Sequence, residues 1–272
     1  MPIVYACTAA HAPGITAWSE AAKSDQLSNV HAAFERIRAD LVASRPDRIL
    51  LLTSEHWTNF FLDHVGPFCF GRAVSYEGPV EPWLKIEKRQ IPGDADLSLR
   101  LLQHCYANGF EPNHAQEMKF DHGTMVPLSF LVPEMDIPVV PILFNTLCSP
   151  RARPGRCYEL GALLRPVLNA GPERIAVVAT GGMSHDPGEV GHGIIHEDFD
   201  KKFMEQMRNA NGEALKSYSD ADLMAAGAGT IELLSWICLA GMLGDRRPTF
   251  TAYEPVRAWA TGLGFASYVN FG

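Results

Sequence analysis

Two unbroken apolar runs constrain the fold of this chain more than any other feature: Ile49-Leu50-Leu51-Leu52 and Ile175-Ala176-Val177-Val178-Ala179. A strand with one wet face alternates apolar and polar residues, whereas a strand covered on both faces does not. Residues 48–53 and 174–180 therefore predict interior strands of a sheet sandwiched between other layers. Both run into histidine-bearing segments, Ser54-Glu55-His56-Trp57 after the first and Gly181-Gly182-Met183-Ser184-His185 after the second. Residues 3–9 predict another buried strand, which runs into His11-Ala12-Pro13-Gly14.

Between these strands the periodicity changes. Val30, Phe34, Ile37 and Leu41 share one face of a predicted helix over 28–44, with Ser28 capping its start and Pro46 ending it. Further helices are predicted over 95–108, closed by Gly109, and over 124–132, 157–169, 196–209, 219–225 and 229–242. Residues 60–70 predict a strand region interrupted near Gly66-Pro67, and the turn-rich stretch 73–93 a large surface excursion. Residues 137–144 are a strand whose Pro138 and Pro141 argue against a regular interior position. Two final strands are expected over 249–254 and 265–270. With no repeat or low-complexity linker, the chain reads as one α/β catalytic domain over 1–272. The expected architecture is a mixed sheet flanked by helices, with the active site at strand ends.

Composition narrows the function. With 272 residues, 47% of them hydrophobic, the chain can bury one large core. The net charge of −8 and the scattered Lys and Arg exclude the basic stripe of a nucleic-acid binder. No positive leader or membrane-length apolar stretch is present, so a soluble cytoplasmic protein is expected. The six cysteines show no CxxC spacing and are expected to be reduced, mostly buried thiols.

His11, His56 and His185 each follow an apolar strand by no more than five residues. Open α/β sheets gather ligands outside the carboxyl ends of their strands, so three histidines placed in this way can converge. Glu232 sits among Ile231, Leu233, Leu234 and Trp236 on a predicted helix. Its plain role is to interact with the helix dipole, but a buried carboxylate needs a partner, and a metal is one. Two imidazoles and one carboxylate suit Fe(II) with positions left open for substrate and oxygen. Any one of these histidines alone is an ordinary structural residue; their joint placement carries the reading. His122, in Asp121-His122-Gly123, reads either as a loop histidine bonded to Asp121 or as a residue close to substrate. His185 suits proton removal and return near neutral pH.

The chain resembles the class III extradiol ring-cleaving dioxygenases, the superfamily of the protocatechuate 4,5-dioxygenase catalytic subunit. The resemblance spans roughly the whole chain. It rests on five ordered elements: His11-Ala-Pro, Ser54-Glu55-His56, Asp121-His122-Gly123, Gly181-Gly182-Met183-Ser184-His185 and Thr230-Ile231-Glu232. It implies that His11, His56 and Glu232 hold Fe(II), that His185 is the acid–base residue and that His122 is the second active-site histidine. The expected reaction is extradiol cleavage of a small dihydroxylated aromatic ring by O2. Glu55 departs from the Asp often found before the second iron histidine, which would alter the geometry around His56. Thr124 and Ser184 are expected near substrate hydroxyls, and Trp57 with Phe60 and Phe61 near the pocket entrance. Arg257, in a tail resembling members that act on dihydroxyphenyl-alkanoates, is a candidate for a substrate carboxylate. His192 and His196 are expected in surface or supporting roles. The resemblance also implies a homo-oligomer or a complex with a small lid subunit. A zinc hydrolase using the same ligands, or a noncatalytic ligand-binding homologue, are the competing readings.

Overall fold

A computed structural model describes residues 3–271. In chain order the elements are β1 (Ile3–Ala9), α1 (Gly14–Ala17), α2 (Ser24–Ser44), β2 (Arg48–Ser54), β3 (Phe68–Gly71), β4 (Ser75–Gly78), β5 (Arg89–Pro92) and α3 (Ala95–Ala107). They continue with β6 (Asn113–Ala115), α4 (His122–Leu131), β7 (Val139–Phe144), α5 (Pro154–Ala170), β8 (Ile175–Thr180) and α6 (Glu197–Arg208). Next come α7 (Gly212–Ser217), α8 (Asp220–Met224), α9 (Leu234–Leu243), β9 (Phe250–Val256) and β10 (Thr261–Tyr268). Among the described residues, eight strands form one sheet in the order β6-β3-β7-β2-β8-β1-β10-β9. The central strands β7, β2, β8 and β1 are mutually parallel, whereas β10 and β3 join antiparallel on either side.

The unbroken apolar runs do what their composition predicts. Leu50, Leu52, Val177 and Ala179 enter one core, with Leu101 of α3, Leu160 of α5, Phe203 of α6 and Trp236 of α9. Their sequence neighbours Ile49, Leu51, Ala176 and Val178 enter the other, with Phe34 of α2 and Leu128 of α4. Successive side chains leave a strand on opposite faces, so each run must be apolar throughout to fill both layers. Each fully buried Leu, Ile or Phe contributes about 1.5–3 kcal/mol relative to exposure. Pairings such as Ala9 with Thr180 and Ser54 with Phe144 align the carboxyl ends of the parallel strands on one edge.

Several expectations need correction. Helix α2 begins at Ser24, so Ser28 lies inside it and caps nothing. Strand β7 is interior despite Pro141, and Pro138 lies just before it: the pairing with β3 covers only Ile142–Phe144, so Pro141 lies just past that ladder. The strand expected over 60–70 is confined to β3. The excursion over 73–93 is only partly a surface feature. It carries the small β4–β5 sheet and buries Tyr76, Leu84 and Ile91. Glu232 precedes α9 in a 3-10 turn, Ala228–Leu233. Helix α7 buries Leu215 alone, too little for an apolar period to mark it in the sequence. No described helix is long and apolar enough to cross a membrane.

Helix α9 is held to α5 by backbone contact. A Cβ on Gly161 would lie 1.9 Å from the Cys238 carbonyl oxygen, and one on Gly241 2.0 Å from that of Tyr158. Backbone cannot rotate aside as a side chain can. Gly241→Leu is therefore expected to cost about 3 kcal/mol, the upper end of overpacking effects, read as a lower urea midpoint at unchanged slope.

Candidate active site

The carboxyl edge of the sheet brings the predicted residues together. His11 follows β1, His56 follows β2 and His185 follows β8. His122 opens α4, whose N-cap Asp121 accepts the Gly123 N–H at 2.9 Å. These four histidines and Glu232 line one cavity of about 550 Å³. The rings of His56 and His122 lie 4.1 Å apart between centroids, and those of His11 and His56 5.1 Å. One ring nitrogen each from His11, His56 and His122 falls within 4.8 Å of the others, a cluster able to hold a metal ion.

The hydrogen bonds fix how these rings present themselves. His56 Nδ1 lies 3.0 Å from Asp121 Oδ2, and an ionised carboxylate can only accept, so Nδ1 carries the proton. Thr180 Oγ1 lies 2.9 Å from the Gly123 carbonyl, which also only accepts. The threonine proton goes there, and its lone pair receives the His11 Nδ1–H at 3.1 Å. Both Nε2 atoms then turn to the same carboxylate, His11 to Glu232 Oε2 at 2.8 Å and His56 to Glu232 Oε1 at 3.1 Å. An imidazole lone pair facing a carboxylate oxygen is an unfavourable meeting of two acceptors. A proton or a metal cation between them removes the conflict, so this donor set fits a metal.

The electrostatics agree. Burial alone would raise the Glu232 pKa, but the fields of His11 and His185 and the hydrogen bonds that His11 and His56 donate when Nε2 is protonated hold it well below the usual carboxylate range. The Gly182 N–H also donates to this carboxylate. Burial likewise opposes ionisation of Asp121, and His56 outweighs it, bringing Asp121 down to about 2. His11 is depressed by burial, against the pull of Glu232. For His56 burial acts downward, yet Asp121 and Glu232 raise its pKa well above the ordinary value. A metal cation at this site displaces that proton, so metal binding releases protons to solvent.

His185 and His122 are set differently. His185 Nδ1 donates to the Met183 carbonyl at 2.8 Å, which leaves Nε2 as an acceptor 3.7 Å from Glu232 Oε1. The ring lies against Gly229, where a Cβ would come within 2.1 Å of Nε2. His122 is clamped by Glu81, whose Oε1 accepts both its backbone N–H at 3.0 Å and its Nδ1–H at 2.7 Å.

The other expected site residues lie elsewhere. Ser184 is buried and its hydroxyl is used twice, donating to Asp200 Oδ2 and accepting the His196 N–H, both at 2.8 Å. Its one proton is committed, and the cavity lining does not include it. Thr124 is buried in the first turn of α4, while Trp57 and Arg257 are exposed; among the described residues the cavity lining includes none of the three. Glu55 turns away from the site and caps the following turn, accepting the N–H groups of Thr58 and Asn59, so Asp121 is the residue that orients His56. His192, expected at the surface, is exposed but lines the cavity. Glu81, Trp18 and Trp259 were not anticipated. No local pattern marks Glu81, which reaches His122 across 41 residues. The sole hint for Trp18 was a tryptophan seven positions after His11.

Comparison with known proteins places this geometry. The family described as "Catalytic LigB subunit of aromatic ring-opening dioxygenase" matches residues 5–264. A 2,3-dihydroxyphenylpropionate/2,3-dihydroxicinnamic acid 1,2-dioxygenase of Paraburkholderia xenovorans is 25% identical, over 97% of this chain and 96% of its own. The enzyme of the same name from Rhodococcus jostii is 24% identical over 99% of both. The crystal structure of an uncharacterised Escherichia coli K12 protein superposes with a TM-score of 0.57 at 14% identity, covering 97% of this chain and 99% of that one, which shows a shared fold.

Asp121→Asn keeps the shape and the helix cap but removes the charge that holds the His56 tautomer. Metal affinity is expected to fall about 10–100-fold, measured by anaerobic Fe(II) titration, with the fold retained by circular dichroism.

Proposed function

Since the chain belongs to the class III extradiol ring-cleaving dioxygenase family, as a catalytic member that opens a dihydroxylated aromatic ring, we propose that His11, His56 and Glu232 hold Fe(II) and that His185 is its acid–base residue. The observation that carries the ligand assignment is the buried Glu232 carboxylate facing two imidazole nitrogens whose opposite nitrogens are already engaged. Two histidines and a carboxylate leave the open positions that substrate and dioxygen require. His122 belongs to the metal-capable cluster as well, but the Glu81 clamp suits it to holding a substrate oxygen beside the ligands. We take the 272 residues as one catalytic domain.

When bound, Fe(II) lowers the proton affinity of the adjacent ring hydroxyls and gives electrons a route from the ring to dioxygen. The protein supplies the rest. His185 Nε2, the acceptor nitrogen of the tautomer that the Met183 carbonyl selects, removes a hydroxyl proton. It returns that proton as the carbon–carbon bond next to the two oxygenated carbons breaks. His122 Nε2 meets a substrate oxygen and keeps the ring in register with His185. The backbone of Gly182 and Gly229 lies close against the His185 ring and limits how far it can move. Glu232 contributes fixed charge and position.

A cytoplasmic location is proposed from the six free thiols, five of them buried. For assembly we propose self-association or a small covering subunit. The exposed Trp57, Phe61 and Leu62 on the turn after His56 offer such a partner an apolar surface.

Anaerobic Fe(II) titration followed by oxygen uptake tests the assignment. H11A, H56A and E232A are each expected to lose iron and turnover together. H122A should keep iron, and retention by E232A with loss by H122A would transfer the third ligand position to His122. H185A should keep iron and lose about 10²–10⁴-fold in turnover. Gly229→Ala, which crowds the same ring, should lose on the order of 100-fold with iron retained. Wild-type turnover by H185A would remove its proton-transfer role.

A further inference from the structure

Three of the five tryptophans gather where the cavity opens. Trp18 and Trp259 line it, and Trp83 stacks on Trp18 with ring centroids 5.2 Å apart and planes 18° from parallel. The Trp259 indole lies over Gly14, where a Cβ would sit 2.3 Å from the ring, and its N–H donates to the Trp18 carbonyl at 2.9 Å. These rings are held in place yet only half covered, with Trp18 49% and Trp83 44% exposed. Fixed, half-exposed aromatic faces give contact area at little cost in conformational entropy. At about 550 Å³ the cavity falls in the range that encloses a drug-sized molecule, more than one dihydroxybenzene ring occupies.

The charged groups at this end are solvent-exposed and offer a charged substituent little. Glu20 lines the cavity and pairs with Lys85 at 3.5 Å. His192 lines it too, but is solvent-exposed, where an ion pair adds little. A carboxylate substituent would meet Glu20, and an ammonium would have to displace Lys85.

Resting on the ring-cleavage reading, we propose that this enzyme selects dihydroxyarenes carrying an uncharged aromatic substituent, laid against Trp18 and Trp259 while the hydroxylated ring sits among the histidines. This substituent differs in kind from the propionate in the names of the relatives.

The test measures anaerobic binding to the Fe(II)-loaded protein by calorimetry and, separately, oxygen uptake. The ligands are catechol, 4-phenylcatechol, 3-(3,4-dihydroxyphenyl)propionate and dopamine. 4-Phenylcatechol should bind at least about tenfold more tightly than either charged ligand. Trp18→Ala and Trp259→Ala should weaken 4-phenylcatechol about three- to tenfold more than catechol, the range expected for one aromatic contact. Trp259→Phe should recover most of that loss, which separates stacking from misfolding. Equal or tighter binding of the propionate, or equal losses for catechol and 4-phenylcatechol, would overturn the proposal. So would a Trp18→Ala protein that changes only its sedimentation, since the rings would then form an interface between chains. Binding selectivity without oxygen uptake for any ligand would instead overturn the ring-cleavage reading and leave the substituent preference standing.

Discussion

The buried Glu232 carboxylate, confronted by the Nε2 atoms of His11 and His56, is the constraint around which the site is organised. It places negative charge opposite two ring nitrogens in a largely buried setting, and a proton or a metal cation between them reconciles the arrangement. The surrounding hydrogen bonds ensure that the rings cannot escape this arrangement by turning over. Asp121 engages one ring and Thr180 the other. The same device sets the two remaining histidines, through Glu81 for His122 and the Met183 carbonyl for His185. Each partner favours one tautomer, so four chemically identical side chains are held in different settings.

Such control requires that segments far apart in sequence arrive at fixed separations. The parallel strands deliver His11, His56 and His185 to one edge, and α9 is locked to α5 by glycine contacts behind the Glu232 turn. The loop bearing His185 is then tied to that turn. Gly229 donates its N–H to the His185 carbonyl at 3.1 Å, and Ala228 donates to Asp186 Oδ1 at 2.9 Å. On its other side Asp200 accepts the Ser184 N–H and hydroxyl and the Tyr253 hydroxyl. His185 and the carboxylate it neighbours are thus parts of one braced unit.

What the sequence reveals depends on the range of the interaction. The runs around Leu51 and Val178 announce interior strands because both faces of each must be apolar, and the histidines after them follow from sheet geometry. Long-range pairing is less legible. Pro141 argues against an interior strand until the short reach of β3 is known. Glu55, adjacent to His56 in sequence, suggests a supporting contact that Asp121 makes instead from 65 residues away. Ser184 and Arg257 have the right chemistry for substrate, but one is consumed by Asp200 and the other is exposed. Hydroxyls and guanidinium groups are suited to many partners, so their type alone does not say which one they take.

The segment from His11 to Ala21 links the two ends of the cavity. It leaves β1 at the metal cluster, turns through α1 and reaches the opening with Trp18 and Glu20, a few residues later. The other side of the opening comes from the turn between β9 and β10, where Trp259 crosses onto Gly14. Neither aromatic ring shares a hydrogen bond with the four histidines; Trp259 bonds instead to the Trp18 backbone. The histidines are therefore braced from the sheet edge and the Glu232 turn, and the tryptophans from a separate pair of loops. A fold divided in this way can alter what meets the outer loops while the carboxylate and imidazoles at the sheet edge keep their arrangement.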